Sequence, residues 1–317
     1  MVCLLSRKLA PPKFAWMNGR FVKWDRATVH ISAPIVNYGS GAFEGIRAYA
    51  SKDQKELYVV RLKEHIRRFF ESAKVLRLKI ELPAKEIEDS IVELLRRNEF
   101  HEDVYIRPLV MERGGVALAE GAVSPADLAV FSIPFGRVAN IEAGIRCCFS
   151  SWRRIPDVCM PPRVKSCGNY VNSTYARKEA LAARYDEALL LTIDNKVSEA
   201  GGANLFMVKK GVVVTPPVTA SILEGVTREG VLHLASKELS YPTAERDIDR
   251  TELYLADEVF LCGTGEEVAP VISIDGHLID EGKPGEVTKK LQTLYFDIVR
   301  GAVPKYRGWI TPVYGGS

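Results

Sequence analysis

The sequence predicts an α+β protein with two domains, and three observations lead to this prediction. Strand-like hydrophobic runs are mixed with a few helical ones, without the regular alternation of a doubly wound α/β sheet. Pro and Gly break the pattern of strands near the middle of the chain. The 317 residues are enough to bury more than one core. We therefore predict a smaller α/β domain at 1–134, a linker at 135–140 and a larger strand-rich domain at 141–317.

In the first domain, turn residues and hydrophobic spacing predict the elements. Asn18-Gly19 supplies the positive φ angles of a tight turn and predicts a hairpin over 15–22. Residues 36–49 are glycine-rich and then strand-like, and no helix follows these glycines, so they do not form a dinucleotide-binding fingerprint. Apolar residues at period 2 or at helical spacing then predict strands and helices. The strands are 57–62, 104–111 and 128–133, and the helices are 63–76 and 84–98.

In the second domain, hydrophobic runs again predict a mixture of strands and helices. Cys147 and Cys148 are adjacent on a strand-like run, so their side chains should point to opposite faces of the sheet. The predicted strands are 144–151, 188–193, 205–208, 212–215 and 258–262, and the predicted helices are 171–185, 227–239 and 286–300.

Composition and charge exclude several classes of function. The chain is 47% hydrophobic and 26% charged, which is typical of a soluble globular protein. Its net charge of +3 is spread along the sequence, so we expect neither a nucleic-acid partner nor a membrane partner. The apolar run at 2–5 is too short for a signal peptide, which predicts a cytoplasmic protein. The six cysteines form no CxxC pair and have no histidine at ligand spacing, so no metal site is predicted.

Two residues suggest chemistry. Lys165 precedes a Gly-Asn-Tyr turn, and Glu199 lies in a stretch of small residues that predicts a loop. A partly desolvated lysine can form a Schiff base with a carbonyl group. A carboxylate beside a pyridine nitrogen keeps the ring protonated, as pyridoxal 5'-phosphate (PLP) chemistry requires. A single lysine before a turn is usually solvated, and a single glutamate in a loop is usually a surface carboxylate. Whether these two residues indicate PLP chemistry therefore depends on their sequence context.

That context is a set of three motifs, weak singly and specific together. In chain order they are Lys165-x-x-Gly168-Asn169-Tyr170, Ser198-Glu199-Ala200-x-x-x-Asn204-Leu205-Phe206 and Gly225-Val226-Thr227-Arg228. Together they resemble the fold-type-IV PLP enzymes, and most closely the branched-chain amino acid aminotransferases, over about 14–308. The resemblance implies a two-domain fold with a pseudo-barrel-like larger domain. It also implies PLP as the cofactor and a homodimer or higher homo-oligomer.

The resemblance further implies a role for each cofactor-binding residue. Lys165 would form the Schiff base, Glu199 would pair with the ring nitrogen, and Tyr170 would bond to the phenolic oxygen. The phosphate would be bound by four residues, namely Arg68, Val226, Thr227 and Thr264. A helix N-terminus suits phosphate because its first N–H groups are free, although Thr227 could equally be only an N-cap.

For the substrate, two further patterns resemble the branched-chain enzymes, namely Tyr38-Gly-x-x-x-Phe43-Glu-Gly-Ile-Arg47 and Tyr105-Ile-Arg107-Pro. Phe43 would form an apolar wall, and Arg107 would meet the side-chain carboxylate of glutamate. Tyr38 would reach into the neighbouring subunit's site, and Gly265 would also contact the substrate.

The implied reaction transfers the amino group between Leu, Ile or Val and 2-oxoglutarate in a ping-pong mechanism. Lys165 would act as the catalytic residue that moves the proton at the α-carbon. Three alternatives stay open. They are a transaminase for D-amino acids or (R)-amines, a β-elimination lyase, and a PLP-carrying or carboxylate-binding protein without turnover.

The sequence departs from the bacterial branched-chain pattern at two places. Phe135 and Val138 stand where that pattern tends to have Trp and Tyr, and the loop at 111–118 is about one residue shorter. Both regions would line the substrate pocket, so they leave the side-chain preference open. The roles of Arg47 and Cys167 also stay open.

Overall fold

The computed structural model describes residues 11–118, 121–136 and 141–315, which form two compact units. The N-terminal unit contains 11–118, 121–136, Val164–Gly168 and 297–315. The central unit contains 141–163 and 169–296. Each unit has its own sheet and helices, so the predicted α+β fold class is confirmed.

The N-terminal unit is a sheet covered by helices. Its strands are β1 (Phe14–Met17), β2 (Arg20–Lys23), β3 (Gly41–Phe43), β4 (Ile46–Ala50), β5 (Leu57–Val60), β6 (Leu78–Lys79), β7 (Val104–Glu112), β8 (Ser124–Pro134) and β18 (Ile310–Pro312). Its helices are α1 (Pro34–Tyr38), α2 (Leu62–Val75) and α3 (Ala84–Asn98). The sheet order is β18-β5-β4-β7-β8-β1-β2, with β3 on β7 and β6 on β8.

The core of this unit follows from the helical spacing of apolar residues. Ile66 and Phe69 of α2, and Ile87 and Ile91 of α3, are almost fully buried against the sheet. Burying a side chain of this size contributes about 1.5–3 kcal/mol. The predicted hairpin is confirmed as β1 and β2, which are joined through Asn18-Gly19 with both φ angles positive.

The central unit is a mixed sheet with helices. Its strands are β9 (Ile145–Arg153), β10 (Glu187–Leu191), β11 (Val197–Ala200), β12 (Asn204–Lys209), β13 (Val212–Thr215), β14 (Thr243–Glu245), β15 (Glu258–Gly263), β16 (Glu267–Ile274) and β17 (His277–Leu278). Its helices are α4 (Tyr170–Ala182), α5 (Val226–His233), α6 (Arg250–Tyr254) and α7 (Glu286–Val299). The sheet order is β11-β10-β9-β16-β15-β12-β13-β14, with β17 on β16.

Cys147 and Cys148 on β9 belong to two different hydrophobic clusters of this unit, as the alternation of side chains along a strand predicts. Among the described residues, every helix is too short or too polar to serve as a membrane span.

The structure differs from the sequence predictions in several details, of which three concern the candidate site or the division into domains. Glu199 lies in strand β11 rather than in a loop, because β11 pairs with β10 and the turn of small residues follows it. The helix predicted over 227–239 ends at His233, and a π-helical turn continues it to Glu238. The division by contacts assigns Val164–Gly168 and 297–315 to the N-terminal unit. The sequence-based boundaries therefore stay a prediction, and 137–140 of the predicted linker, with Val138, lie outside the described residues.

Candidate active site

Lys165 lies in a short segment, Val164–Gly168, of the N-terminal unit, in which Ser166 forms an isolated bridge to Ala42. The Phe43 N–H donates to the Lys165 carbonyl at 3.0 Å, and the Lys165 N–H donates to Ser72 Oγ of helix α2 at 3.3 Å. Strand β3 and helix α2 therefore fix the backbone of the lysine on both sides. The side chain is half-buried, which is the partial desolvation that a nucleophilic lysine requires.

Phe43 brings the lysine and the predicted substrate arginine together. The Lys165 Nζ lies 5.1 Å from the centroid of the Phe43 ring, and the Arg107 guanidinium lies 4.2 Å from the same centroid. Arg107 NH2 donates to the Tyr105 hydroxyl at 2.7 Å, since the two residues share one face of β7. Phe135 packs on Tyr105 with ring centroids 5.1 Å apart. The result is an apolar aromatic surface with two cations beside it.

Tyr38 is more exposed than the other predicted site residues of this unit. It is the last residue of α1, and its hydroxyl donates to the Val116 carbonyl at 2.5 Å, in the loop after β7. Gly39 is the C-cap residue that follows the helix, with φ +68°. A Cβ at Gly39 would lie 3.2 Å from the Gly168 Cα, so the close approach to the lysine segment requires glycine.

Arg68 lies on the buried face of α2 and forms a fork with Glu44. Its Nε and NH2 donate to the two oxygens of Glu44 at 2.7 and 2.9 Å, and His65 Nδ1 lies 2.8 Å from Glu44 Oε2. Burial would raise the pKa of Glu44, but the charge of Arg68 and the bonds from His65 and Arg68 outweigh it, so this pKa is well below its usual range. Burial, with Arg68 and Lys165 nearby, lowers the pKa of His65 against the opposing effect of Glu44. Arg67 points to solvent, as its different helical position predicts.

Glu199 is a buried carboxylate with charged and neutral donors around it. Arg154 Nε donates to Glu199 Oε1 at 2.9 Å. Asn204 Nδ2 and the Leu223 N–H donate to Glu199 Oε2 at 2.9 and 3.1 Å. The side chains of Glu199 and Arg154 are only 6% and 7% exposed. A buried carboxylate with this set of donors is stabilised as the anion.

The N-terminus of α5 is attached to the same group of residues. Asn204 Nδ2 also donates to the Leu223 carbonyl at 2.8 Å, and a Cβ at Gly225 would lie 2.1 Å from Asn204 Oδ1. Gly225 is the N-cap residue and provides no side-chain cap, so Thr227 is not the N-cap. Val226 and Thr227 occupy the first two positions of the helix, where backbone N–H groups have no partner within the helix.

Thr264 and Gly265 form the turn between β15 and β16, close to the start of β12. A Cβ at Gly263 would lie 3.5 Å from the Ala203 Cα. The turn after β15 is therefore in contact with the turn at 201–203, which precedes β12. Tyr170 begins α4. Two residues later, Asn172 Oδ1 accepts a bond from Arg154 NH1 at 3.4 Å. The central unit therefore brings the elements that carry Tyr170, Glu199, Val226, Thr227, Thr264 and Gly265 into one connected group.

The two residues whose roles the sequence left open lie beside the aromatic surface. Arg47 is buried, with its guanidinium 4.8 Å from the Phe135 ring and 5.0 Å from the Tyr49 ring. Burial raises the pKa of the Cys167 thiol to about 11, against the opposing charge of Arg107. The thiol is therefore protonated at neutral pH and is a poor nucleophile.

Residues 41–274 match the amino-transferase class IV family. The chain belongs to this family.

The relatives of this class IV aminotransferase cover nearly all of it. A probable branched-chain-amino-acid aminotransferase of Aquifex aeolicus is 42% identical over 95% of this chain and 97% of its own. The branched-chain aminotransferase of Thermoproteus uzoniensis, solved with norvaline, is 42% identical with a TM-score of 0.91, over 96% of this chain and 100% of its own. The branched-chain amino acid aminotransferase of Thermobaculum terrenum was solved in its PLP form. It is 40% identical with a TM-score of 0.90, over 96% of this chain and 99% of its own.

The donor set of this aminotransferase fits PLP. The half-buried Lys165 suits the aldehyde, the anionic Glu199 suits a protonated ring nitrogen, and the N-terminus of α5 without a side-chain cap suits a phosphate. The described residues therefore include a suitable group for the aldehyde, for the ring nitrogen and for the phosphate of PLP.

Sequence reasoning missed three residues of this site. Glu44 and Asn204 lie inside the motifs that carry the resemblance, so their positions could have marked them as candidates. Arg154 lies in no such motif, and its partner Glu199 is 45 positions away along the chain. Only the paired geometry identifies Arg154.

Proposed function

We propose that this aminotransferase transfers the amino group between branched-chain L-amino acids and 2-oxoglutarate with PLP as its cofactor. The observation that carries this proposal is the Phe43 ring, which has the Lys165 amine 5.1 Å and the Arg107 guanidinium 4.2 Å from its centroid. The Lys165 amine suits the transfer step. The Phe43 ring offers an apolar wall to a branched-chain side chain, and Arg107 offers a cation to the side-chain carboxylate of glutamate. The names and ligands of the relatives support the same activity.

When bound, PLP supplies an aldehyde for the amino group and a ring that accepts electrons from the substrate Cα. Lys165 would hold the aldehyde group of the cofactor, and its amine would move a proton at the substrate Cα. Glu199 holds the proton on the ring nitrogen, and Tyr170 donates to the phenolic oxygen. The phosphate is bound by Val226 and Thr227 at the start of α5, together with Thr264 and Arg68.

For the substrate, Phe43 and Tyr38 provide the apolar wall, and Gly265 gives a further contact. Arg107 binds the side-chain carboxylate of glutamate or 2-oxoglutarate. Its orientation by Tyr105 supports this role, since a guanidinium held in place loses less conformational freedom on binding. One site then accepts an amino acid and, after the oxo acid formed from it has left, a 2-oxo acid that takes up the amino group, which gives ping-pong kinetics.

A half-reaction screen tests the proposed function. The purified holoenzyme is mixed with one donor at a time, and the absorption of the bound cofactor is followed. We expect L-leucine and L-glutamate to convert it to the pyridoxamine form, and D-alanine and an (R)-amine to leave it unchanged. Conversion by the D-amino acid or the amine alone would support the alternative transaminases. If no donor converts the cofactor, the result would support the alternative of a PLP-carrying protein without turnover.

We further propose a cytoplasmic homodimer or a higher homo-oligomer. Exposed apolar side chains are concentrated in two segments of the N-terminal unit, namely Val29, Ile31 and Val36 in the first and Val116, Leu118 and Val123 in the second. Concentrations of exposed apolar side chains favour association. The Tyr38–Val116 bond links the two segments, which supports a position of Tyr38 at the contact between copies. Light scattering that gives the mass of one chain would contradict this assembly.

A further inference from the structure

Arg154 is the charged partner of Glu199 among the hydrogen bonds described above. The other two donors, Asn204 and the Leu223 N–H, are neutral. The guanidinium keeps its proton at every pH that proteins tolerate. The buried carboxylate therefore has a permanent counter-ion within 2.9 Å.

Two further contacts fix the position of Arg154. Its backbone N–H donates to the Leu191 carbonyl of β10 at 2.9 Å, and its NH1 donates to Asn172 Oδ1 of α4 at 3.4 Å. Asn172 Nδ2 donates in turn to the Arg153 carbonyl at 2.9 Å. The arginine is thus held by strand β10 and by the first turn of α4, so its guanidinium is fixed beside Glu199.

From these contacts we infer that Arg154 is a positioning residue that keeps Glu199 ionised, so that the proton stays on the ring nitrogen of the cofactor. This inference rests on the proposed function. A carboxylate and a pyridine nitrogen can share a proton in two ways, as a pair of ions or as a neutral pair. Removal from water favours the neutral pair.

Arg154 shifts that balance by its charge. Moving the proton from the ring nitrogen to Glu199 would neutralise the carboxylate and abolish its ion pair with the guanidinium. Arg154 therefore favours the pair of ions, in which the ring withdraws electrons. Asn204 and the Leu223 N–H act in the same direction, because both are donors that suit an anion.

Three variants at Arg154 separate charge from hydrogen bonding and packing. Arg154→Lys keeps the charge, Arg154→Gln keeps a donor without the charge, and Arg154→Met keeps much of the volume with neither. The matched control is Arg177→Met, because Arg177 pairs with another buried carboxylate of the same unit, Glu187, at 3.3 Å. That variant also removes an ion pair with a buried carboxylate, but one that has no proposed cofactor role.

The readout is the 15N chemical shift of the pyridine nitrogen in holoenzyme reconstituted with PLP labelled at that atom. We expect a protonated nitrogen in wild type, Arg177→Met and Arg154→Lys. In Arg154→Gln and Arg154→Met the shift should move toward that of a neutral pyridine. Their kcat should fall by about ten- to a hundredfold, which is the loss typical of replacing a residue that orients a metal ligand by a hydrogen bond.

Arg154→Gln and Arg154→Lys keep the test decisive if Arg154→Met does not fold. A protonated nitrogen in Arg154→Gln would overturn the inference, and so would an equal change in Arg177→Met. A wild-type protein that binds no PLP would instead overturn the proposed function, so the two failures are distinguishable.

Discussion

Among single residues, Arg107 has the most direct consequence for substrate choice. Its guanidinium is oriented by the Tyr105 hydroxyl and lies over the Phe43 ring. A charge-assisted contact with a carboxylate contributes about 1.5–3 kcal/mol, or roughly ten- to a hundredfold in affinity. Arg107→Ala should therefore reduce kcat/KM for L-glutamate and 2-oxoglutarate by that factor, and much less for L-leucine.

Arg67→Ala is the matched control for this variant, because Arg67 is an exposed arginine of the same unit. Steady-state kinetics with both donors measure the difference. Equal losses for leucine and glutamate in Arg107→Ala would remove Arg107 from the side-chain role.

Glu44 gives a second prediction at this scale, on stability against pH. Its pKa is lowered by Arg68 and His65 in the folded protein, from an ordinary value of 4.5, despite complete burial. A carboxyl group with a lowered folded pKa stabilises the protein above its unfolded pKa, and this stabilisation is lost as the pH falls below that value. In the protein without PLP, Glu44→Gln should cost about 3–5 kcal/mol at neutral pH, because it removes the buried carboxylate that pairs with Arg68.

The difference in free energy of unfolding between wild type and Glu44→Gln should shrink as the pH falls from about 5 to 3. Urea unfolding at a series of pH values measures it, with the exposed Glu81→Gln as control. A difference that stays constant over this range would show that Glu44 is not the group that titrates.

At the scale of elements, the helices and turns that have a local sequence pattern were predicted. Helices α2 and α3 follow from apolar residues at helical spacing, and the hairpin of β1 and β2 follows from Asn18-Gly19. The pairing of β18 with β5 was not predicted, because it joins residues about 250 positions apart in the sequence. The strand position of Glu199 was missed because β11 is only four residues long and is followed directly by small residues.

The candidate site shows the same limit. Lys165, Glu199 and Arg107 are predicted site residues because they lie in motifs, and the structure gives each a specific set of neighbours. Arg154 and the role of Glu44 were not found, since each depends on a partner that no local pattern identifies. Sequence motifs therefore lead to a prediction of the groups that would touch the cofactor, whereas the side chains that hold those groups are identified only by the structure.

The C-terminal segment 310–315 gives a prediction for an element. Strand β18 pairs with β5, and the Glu56 carboxylate accepts the N–H groups of Val313, Tyr314 and Gly315. These bonds attach the end of the chain to the N-terminal unit. Glu56→Ala leaves the three donors without this acceptor and should lower the free energy of unfolding by about 1–3 kcal/mol.

Chemical denaturation followed by tryptophan fluorescence, to which Trp309 just before β18 contributes, measures this effect. Glu81→Ala, at an exposed glutamate of the same unit, is the control. Unchanged stability in Glu56→Ala would show that the pairing of β18 with β5 and the apolar contacts hold the segment without Glu56.

For the whole molecule, the chain contributes to each unit more than once. It leaves the N-terminal unit after Gly136, returns to it for Val164–Gly168, and returns again at Asp297. Lys165 and Tyr170 are thus five residues apart and belong to different units. A division into continuous domains at 134 and 141 would separate Lys165 from β3 and α2, which hold its backbone.

The covalent attachment of the cofactor to Lys165 is the central claim, and one measurement tests it most directly. Holoenzyme is reduced with borohydride, digested, and mapped by mass spectrometry, with Lys165→Ala treated in parallel. We expect the phosphopyridoxyl group on the peptide that contains Lys165 and on no other, and none in the variant. A label on a different lysine in the wild-type protein would contradict the account.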